Sequence, residues 1–255
     1  MIIRERNIAI HVEKDYEAMS KKAAGLIAEE VCRNPRSVLC FATGGTPIGT
    51  YRELVRMHRE NNLDFSAITS FNLDEYYPIS KANTQSFNYF MHQNLFSHIN
   101  IPAENIHIPS GEAEDWQLEV EQYEDCILQA GGIDMLLLGI GHNGHIAFNE
   151  PDEIFSGFTH KVSISQETIQ ANARFFDRLE DVPTTALTMG IRSIMLSRKI
   201  VFIASGAEKA PAIRKSIHEA ATPRVPGSAL QFHQNLTMVL DRDAYNAMQG
   251  QEGYS

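Results

Sequence analysis

The sequence is poor in cysteine, and its three cysteines do not form a recognisable pattern. Cys32, Cys40 and Cys126 are widely spaced and contain no C-x-x-C pair. This spacing argues against both a disulfide framework and a zinc site. Cys40 lies in the apolar run SVLCFA, where we expect an inert, buried thiol rather than a reactive one.

An excess of positive charge is also missing. The 255-residue chain has 22 Lys and Arg against 32 Asp and Glu, a formal net charge of −10. Nucleic acids and anionic membranes are held by basic surfaces, so we expect neither as a partner. A local group of backbone N–H donors and a few cations can still bind a phosphate on an acidic protein. The composition therefore permits an anionic small-molecule ligand.

Long apolar runs are absent from the sequence as well. None approaches the roughly 18 to 20 residues of a membrane-spanning helix. The first residues, MIIRERNIAIHVEKDYEAM, contain no apolar signal-peptide core. We therefore expect a cytoplasmic protein.

Short apolar runs alternate with longer amphipathic stretches along the whole chain, which is typical of an α/β fold. We predict a Rossmann-like, open, mainly parallel sheet of about seven strands with helices on both faces. The predicted strands lie at about 2–11, 37–42, 67–73, 104–108, 133–140, 199–204 and 235–240. The predicted helices lie near 14–33, 47–60, 84–96, 115–130, 165–172, 183–195 and 207–217. There is no internal repeat or Gly/Ser linker, so residues 1–255 are interpreted as a single domain.

Polar loops follow four of the predicted strands. They are ATGGTP after residue 41, NLDEYY after 71, GHNGH after 140 and SGAEK after 204. In open α/β sheets the ligand binds beyond the carboxyl ends of the strands, where such loops converge. The sequence therefore predicts one site at this edge of the sheet.

The first of these loops, Thr43-Gly44-Gly45-Thr46, precedes Pro47 and the start of a predicted helix. Its N–H groups and hydroxyls, with the helix dipole, suit an anion. A simple capped turn explains the same residues equally well. No Lys-Ser/Thr follows, so this is not a Walker A loop, and a sugar phosphate fits better than a nucleoside triphosphate.

The second loop carries two adjacent acids, Asp74 and Glu75. A partly desolvated carboxylate at a strand end can act as a general base on a carbon acid. Either acid could instead cap a turn or pair with a cation, and this segment alone favours that structural role.

The third loop, GIGHNGHIAFNEP, permits three interpretations. Gly139, Gly141 and Gly144 match the G-x-G-x-x-G of a dinucleotide-binding turn. That fingerprint needs a long helix starting at the third glycine, and Pro151 follows Gly144 too closely for one. The dinucleotide interpretation is therefore disfavoured.

Metal binding and acid–base chemistry remain for this loop. His142 and His145 could be metal ligands, but no third ligand stands at a recognised spacing. His145 and Glu150 instead form a histidine–carboxylate pair within one short segment, which suits proton transfer near neutral pH. Elsewhere, Arg174 in ANARFFD and Lys209 in SGAEKA are candidate phosphate-binding cations.

Together these segments resemble the glucosamine-6-phosphate deaminase (isomerase) family. TGGTP, FNLDEYY, GHNGHIAFNEP, ANARFFD and the SGAEKA lysine occur in the family's order and approximate spacing over almost the whole chain. TGGTP is shared with the 6-phosphogluconolactonases, which have a related fold. Those enzymes typically continue the glycine–histidine motif with Thr-Ala-Ser, whereas this chain has Ile146-Ala147-Phe148. The resemblance therefore favours the deaminase.

The resemblance implies a reaction that needs neither metal nor cofactor and converts glucosamine 6-phosphate and water to fructose 6-phosphate and ammonia. It assigns catalytic roles to Asp74, Asn143, His145 and Glu150. The implied phosphate-binding residues are Thr43, Gly44, Gly45, Thr46, Arg174 and Lys209. The segment from about 78 to 100, with its aromatic residues, resembles the family's mobile lid.

Two features depart from the family pattern. Many members have aspartate where this chain has Asn143, and an amide can orient an imidazole without stabilising its charged form. Allosteric members bind N-acetylglucosamine 6-phosphate through basic residues shortly after NEP. His160 and Val162 stand where arginine and lysine are expected, and Asp152 and Glu153 add negative charge. We therefore expect kinetics without activation by that ligand.

Several alternatives stay open at the level of sequence. Galactosamine 6-phosphate differs from the glucosamine compound only at C4, and no residue distinguishes them. A 6-phosphogluconolactonase-like hydrolase and a non-enzymatic sugar-phosphate sensor are further candidates. A homo-oligomer is compatible with the family, which ranges from monomers to hexamers.

Overall fold

The computed structural model describes residues 1–5, 8–173, 176 and 178–250. The strands are β1 Ile2–Glu5, β2 Ile8–Glu13, β3 Val38–Phe41, β4 Thr69–Asn72, β5 Asp74–Tyr76, β6 Ile106–His107, β7 Met135–Leu138, β8 His160–Ser163, β9 Thr185–Thr188, β10 Ile200–Ala204 and β11 Leu236–Asp241. The helices are α1 Tyr16–Arg33, α2 Ile48–Asn61, α3 Phe87–Asn94, α4 Trp116–Gln129, α5 Gln166–Asn172, α6 Ile191–Met195, α7 Ala210–His218 and α8 Arg242–Gln249.

The main sheet has eight strands in the order β1-β2-β11-β10-β7-β3-β4-β6. All neighbouring pairs from β2 to β6 are parallel, and only the edge pair β1 and β2 is antiparallel. The α/β class with a mainly parallel sheet is therefore confirmed. The single strand predicted at 2–11 is wrong in detail, because this segment forms two strands with Ile3 opposite Ile10.

Helices cover both faces of this sheet, as predicted. Alternate residues of a strand point to opposite faces, and in β7 Met135 and Leu137 enter one apolar cluster while Leu136 and Leu138 enter another. The first cluster includes residues of α1 and α2 such as Leu54. The second includes residues of α4, α7 and α8. Strands buried on both faces explain the short continuous apolar runs in the sequence.

A second, three-stranded antiparallel sheet in the order β5-β9-β8 was not predicted. The helix predicted at 183–195 is wrong in its first half, which forms β9, and only Ile191–Met195 is helical. Ala186 and Leu187 are fully buried where β9 pairs with both β5 and β8. Tertiary pairing thus overrides a local pattern that is compatible with either state.

Three smaller differences concern the helices. The predicted helix at 84–96 is α3 followed by a 3₁₀ turn at Phe96–His98. The one at 207–217 begins with a 3₁₀ turn at Ala207–Lys209 before α7. Helix α8, capped by the Asp241 side chain, was not predicted. Within the described ranges, no helix has both the length and the apolar character needed to cross a bilayer.

Candidate active site

A cavity of about 640 Å³ opens at the carboxyl ends of β3, β7 and β10, beside the start of β5. The strand-end loops found in the sequence all contribute to its wall. The predicted site residues in this wall are Thr43, Gly44, Gly45, Thr46, Asp74, Asn143, His145 and Lys209. Glu150 lies behind His145, with its side chain about a tenth exposed. Arg174 lies outside the described residues.

The TGGTP loop joins β3 to α2 and presents the N-terminus of that helix to the cavity. Gly44 has a φ of 96°, a conformation that favours glycine. The Tyr16 hydroxyl braces the loop, because it accepts from the Gly49 N–H at 2.8 Å and donates to the Gly45 carbonyl at 3.3 Å. The helix's N-cap residue, Pro47, has no side-chain acceptor. The loop donors and the helix dipole therefore suit an anion.

Asp74 is the first residue of β5 and lines the cavity, although only 6% of the residue is exposed. Its position is fixed on both sides. Leu73 donates its N–H to the Phe41 carbonyl of the main sheet, and Asp74 lies opposite Thr188 in β9. Burial, reinforced by the negative charge of Glu75, raises the pKa of Asp74 to about 8. Such a carboxyl can exchange a proton near neutral pH.

Glu75 is buried and holds the start of α3. Its carboxylate accepts the backbone N–H groups of Tyr76, Phe87 and Asn88 at 2.8 to 2.9 Å. Burial raises the pKa of Glu75 to about 7, against these three donors, which favour the ionised form. The contact keeps Phe87, at the N-terminus of α3, in the cavity wall.

The glycines of GIGHNGH form a tight turn that supports the imidazole. The Gly144 N–H donates to the Gly141 carbonyl, and the Gly141 N–H donates to the His145 carbonyl. Gly144 has a φ of 89°. A Cβ on Gly141 would lie 2.1 to 2.4 Å from three atoms of the His145 ring, so only glycine allows the ring to lie there. This geometry accounts for Gly141 and Gly144 without a dinucleotide.

His145, Glu150 and Asn143 form one hydrogen-bonded group. His145 Nδ1 is 3.5 Å from Glu150 Oε2, and the Asn143 side-chain amide donates to the same oxygen at 2.7 Å. Asn143 Oδ1 accepts the His145 backbone N–H at 3.1 Å. Burial alone would raise the pKa of Glu150, but hydrogen bonds, led by the one with His145, lower it to about 2. Glu150 is therefore an ionised partner of the imidazole.

His142 also lines the cavity, but in a different environment. Burial, with the positive charge of Lys209 adding to it, lowers the pKa of His142. His142 therefore favours the neutral form near neutral pH. Across the described part of the chain, no three His, Cys, Asp or Glu side chains are grouped so as to hold a metal ion.

Several residues of the cavity wall were not predicted as site residues, although Phe87 is one of the aromatic residues of the expected lid segment. Tyr76, Phe87 and Phe148 pack their rings together, with centroid separations of 4.8 to 5.8 Å. Asn172, at the end of α5, donates to the Tyr76 hydroxyl at 2.9 Å. Thr168, in the first turn of α5, contacts both Glu150 and His145. The sequence predicted this helix but held no signal for which of its faces meets the GHNGH loop.

A family model covers most of the chain. Residues 13–239 match the model described as glucosamine-6-phosphate isomerases/6-phosphogluconolactonase. A glucosamine-6-phosphate deaminase of Alkaliphilus oremlandii is 52% identical over 235 residues, which cover 92% of this chain and 98% of the relative. Another, of Clostridioides difficile, is 52% identical over 231 residues, which cover 91% of this chain and 93% of the relative.

Solved structures show the same similarity. A monomeric glucosamine-6-phosphate deaminase superposes with a TM-score of 0.91 at 42% identity, covering 93% of this chain and 99% of that one. The 6-phosphogluconolactonase of Plasmodium vivax superposes with a TM-score of 0.73 at 16% identity, covering 98% and 96%. At that identity the second likeness concerns the fold alone.

Proposed function

The chain belongs to the glucosamine-6-phosphate isomerase/6-phosphogluconolactonase family, and we propose that it is a glucosamine-6-phosphate deaminase. It converts glucosamine 6-phosphate and water to fructose 6-phosphate and ammonia, a reaction of amino-sugar catabolism. The observation that carries this proposal is the similarity to deaminases at 52% identity over nearly the full length of both chains.

His145 opens the sugar ring by carrying a proton from the C1 hydroxyl to the ring oxygen. Glu150 lies against Nδ1 and orients the ring, and Asn143 holds Glu150 in place through its side-chain amide. An ionised Glu150 also stabilises the imidazolium that forms during the transfer.

Asp74 then acts on the open-chain sugar. It removes the proton from C2 and returns a proton at C1, which converts the aldose through an enolamine to a ketose imine. Water hydrolyses the imine, releasing ammonia and the ketose phosphate. A pKa of about 8 suits Asp74 to both halves of this transfer, since it can accept and return the proton near neutral pH.

The phosphate group binds at the N-terminus of α2. Thr43, Gly44, Gly45 and Thr46 supply N–H and hydroxyl donors, and Lys209 supplies a cation from the turn after β10, which also lines the cavity. The participation of Arg174 stays a prediction.

Met91, Leu95 and Phe96 are buried in the core, whereas residues 80–84 are exposed, so we expect any lid movement within 78–100 to involve that exposed part. The single-domain organisation, the cytoplasmic location and a homo-oligomer stay predictions. The alternative substrate, galactosamine 6-phosphate, is tested beside the glucosamine compound.

The decisive experiment measures ammonia release from glucosamine 6-phosphate by the wild type and by Asp74→Asn. We expect the substitution to lower kcat by about 10²- to 10⁴-fold, the usual contribution of a general base. Asp125→Asn, at an exposed position of α4, is the matched control and should retain wild-type activity. No ammonia from either hexosamine phosphate, with hydrolysis of 6-phosphogluconolactone instead, would overturn the proposal.

A further inference from the structure

We propose that Thr168 is a positioning residue that fixes the tautomer of His145, holding the ring proton on Nδ1 and leaving Nε2 to exchange a proton with the sugar. This inference deepens the proposed function, on which it rests. Thr168 was not among the residues expected from the sequence. It lies in the first turn of α5, which Ser165 caps.

The Thr168 hydroxyl contacts three groups at once. Oγ1 is 2.6 Å from Glu150 Oε1, 3.0 Å from Ser165 Oγ and 3.4 Å from His145 Nδ1. Thr168 is buried, with 4% of the residue exposed. A threonine hydroxyl has one proton to donate and two lone pairs that accept. These three contacts therefore use the one proton and both lone pairs of the hydroxyl.

The short contact to Glu150 determines where the hydroxyl proton lies. Glu150 is ionised and can only accept, so Thr168 donates its single proton to that carboxylate. The Thr168 oxygen must then accept from its two other neighbours. Ser165 Oγ supplies one proton. It accepts the Thr168 backbone N–H at 3.2 Å with a lone pair, so its own O–H is left to donate.

His145 Nδ1 supplies the other proton. Among the described residues, the atoms that contact it are the Thr168 oxygen at 3.4 Å and Glu150 Oε2 at 3.5 Å, and both of these atoms accept. Neither has a proton to give to Nδ1. The neutral imidazole is thus held as the Nδ1–H tautomer, and Nε2 is the nitrogen left with a lone pair. In the proposed reaction, Nε2 takes the proton from the C1 hydroxyl and delivers it to the ring oxygen.

Glu150 alone would hold the imidazole less firmly. The contact between Nδ1 and Oε2 is long for a hydrogen bond, and the same oxygen also accepts the Asn143 amide at 2.7 Å. Thr168 adds a second acceptor beside Nδ1 and donates a hydrogen bond to the other carboxylate oxygen, Oε1. Without the Thr168 hydroxyl, the Asn143 amide still holds Glu150 Oε2, but Nδ1 keeps only the long contact to that oxygen, so the ring is held less firmly.

The first test reads the tautomer directly and does not depend on turnover. In ¹⁵N-labelled wild type, the ring nitrogens of His145 are assigned among the ten histidines by comparison with a His145→Gln sample. We expect neutral His145 to carry its proton on Nδ1, and Thr168→Val to give a mixture of both tautomers. A wild-type ring protonated on Nε2 would overturn the inference whether or not the protein deaminates sugars.

The second test separates positioning from substrate binding. Thr168→Val should lower kcat for ammonia release by about tenfold to a hundredfold, the range for a lost hydrogen bond to a charged group. The Michaelis constant should change by less than about twofold, because the saturated hydroxyl has no bond left for the sugar. Thr168→Ser, which keeps the hydroxyl, should recover most of the activity.

Thr237→Val is the matched control. Thr237 is buried in β11, where it pairs with Val201 and Ala9, and it does not line the cavity. Loss of that hydroxyl should leave kcat unchanged. If Thr168→Val keeps wild-type kcat, or if Thr168→Ser is as impaired as Thr168→Val, the hydroxyl does not position His145.

Discussion

Asp74 and Glu75 are neighbours in the sequence but occupy different surroundings. Asp74 faces the cavity, whereas the Glu75 carboxylate is enclosed by backbone N–H groups of β5 and α3. Alternation along a strand separates the two side chains, as it does in any β-strand. Glu75 acts on its neighbour through charge, because its carboxylate adds to the effect of burial on the pKa of Asp74. It also holds α3 at the cavity wall.

We therefore expect Glu75→Gln to change the pH dependence of the reaction. Asp74 must be ionised to accept a proton, so activity rises with pH through its pKa of about 8. Removing the neighbouring negative charge lowers that pKa, and the acidic limb of the kcat/KM profile should move to lower pH. Profiles measured beside Glu121→Gln, at an exposed position of α4, provide the comparison. An unmoved limb would mean that Glu75 serves only to hold α3.

Asn143 connects Glu150 to the His145 backbone through its side chain. Its amide donates to Glu150, and its carbonyl oxygen accepts the His145 N–H. An aspartate here would place a second carboxylate within 2.7 Å of Glu150. Like charges at this distance raise the pKa of one member of the pair, and the added negative charge stabilises the imidazolium.

Asn143→Asp should accordingly move the acidic limb of the pH–rate profile to higher pH. The imidazolium would persist to higher pH than in the wild type, and it must lose its proton for His145 to act as a base. Steady-state rates between about pH 5 and 9 would measure the shift. Asn246→Asp, at an exposed position of α8, adds the same charge away from the cavity. A profile that does not distinguish the two variants would show that Asn143 has no influence on His145.

Among the secondary-structure elements, the buried parallel strands that end in polar loops are the ones best predicted from the sequence. β3, β7 and β10 are fully buried, so their apolar runs stand out from the amphipathic helices around them. The rule that ligands bind at the carboxyl ends of such strands then brought TGGTP, GHNGH and SGAEK to one place. These loops do line a common cavity.

The antiparallel sheet could not be found in the same way. β5 has three residues, and β8 is only partly buried, so neither gives a long or strongly alternating pattern. β9 is defined by its pairing with strands that are distant in sequence. The sequence therefore predicts Asp74 as an acid at a strand end but does not predict the pairing with Thr188 that fixes its position.

The position of Thr168 could not be predicted for a related reason. A helix near 165–172 was expected, and α5 is there. The contact with Glu150 depends on how the helix is rotated and on how the chain returns after NEP. A threonine near the start of a helix is unremarkable in sequence, because its hydroxyl can equally well serve the helix end. Side-chain capacity for hydrogen bonds becomes informative only when the neighbours are known.

For the whole molecule, the net charge of −10 says little about its ligand, because the donors that suit a phosphate are concentrated at one end of the sheet. Binding of an anionic effector likewise depends on the charges near its site rather than on the net charge. On the segment after NEP, Val162 packs against the apolar cluster that contains Tyr76 and Ile164. Lys161 lies over the rings of Tyr77 and Trp116.

The remaining charges of this segment are no better suited to a phosphate. Asp152 and Glu153 are exposed, and Glu153 forms an ion pair with Arg224. An anionic effector would have to approach two carboxylates, and neither His160 nor Val162 has the permanent positive charge of an arginine or a lysine to offset that repulsion. A ligand shifts a conformational equilibrium only by its difference in affinity for the two states. A surface that binds it weakly in both states therefore transmits no activation.

We accordingly expect the rate of ammonia release to depend hyperbolically on glucosamine 6-phosphate and to be unchanged by N-acetylglucosamine 6-phosphate. Initial rates over a wide range of substrate, with and without millimolar N-acetyl compound, would test this. Competitive inhibition at high concentration is compatible with the expectation, since the compound also carries the phosphate that the α2 N-terminus binds. Activation at low substrate, with a sigmoidal curve made hyperbolic by the N-acetyl sugar, would show that the chain forms an effector site from other residues.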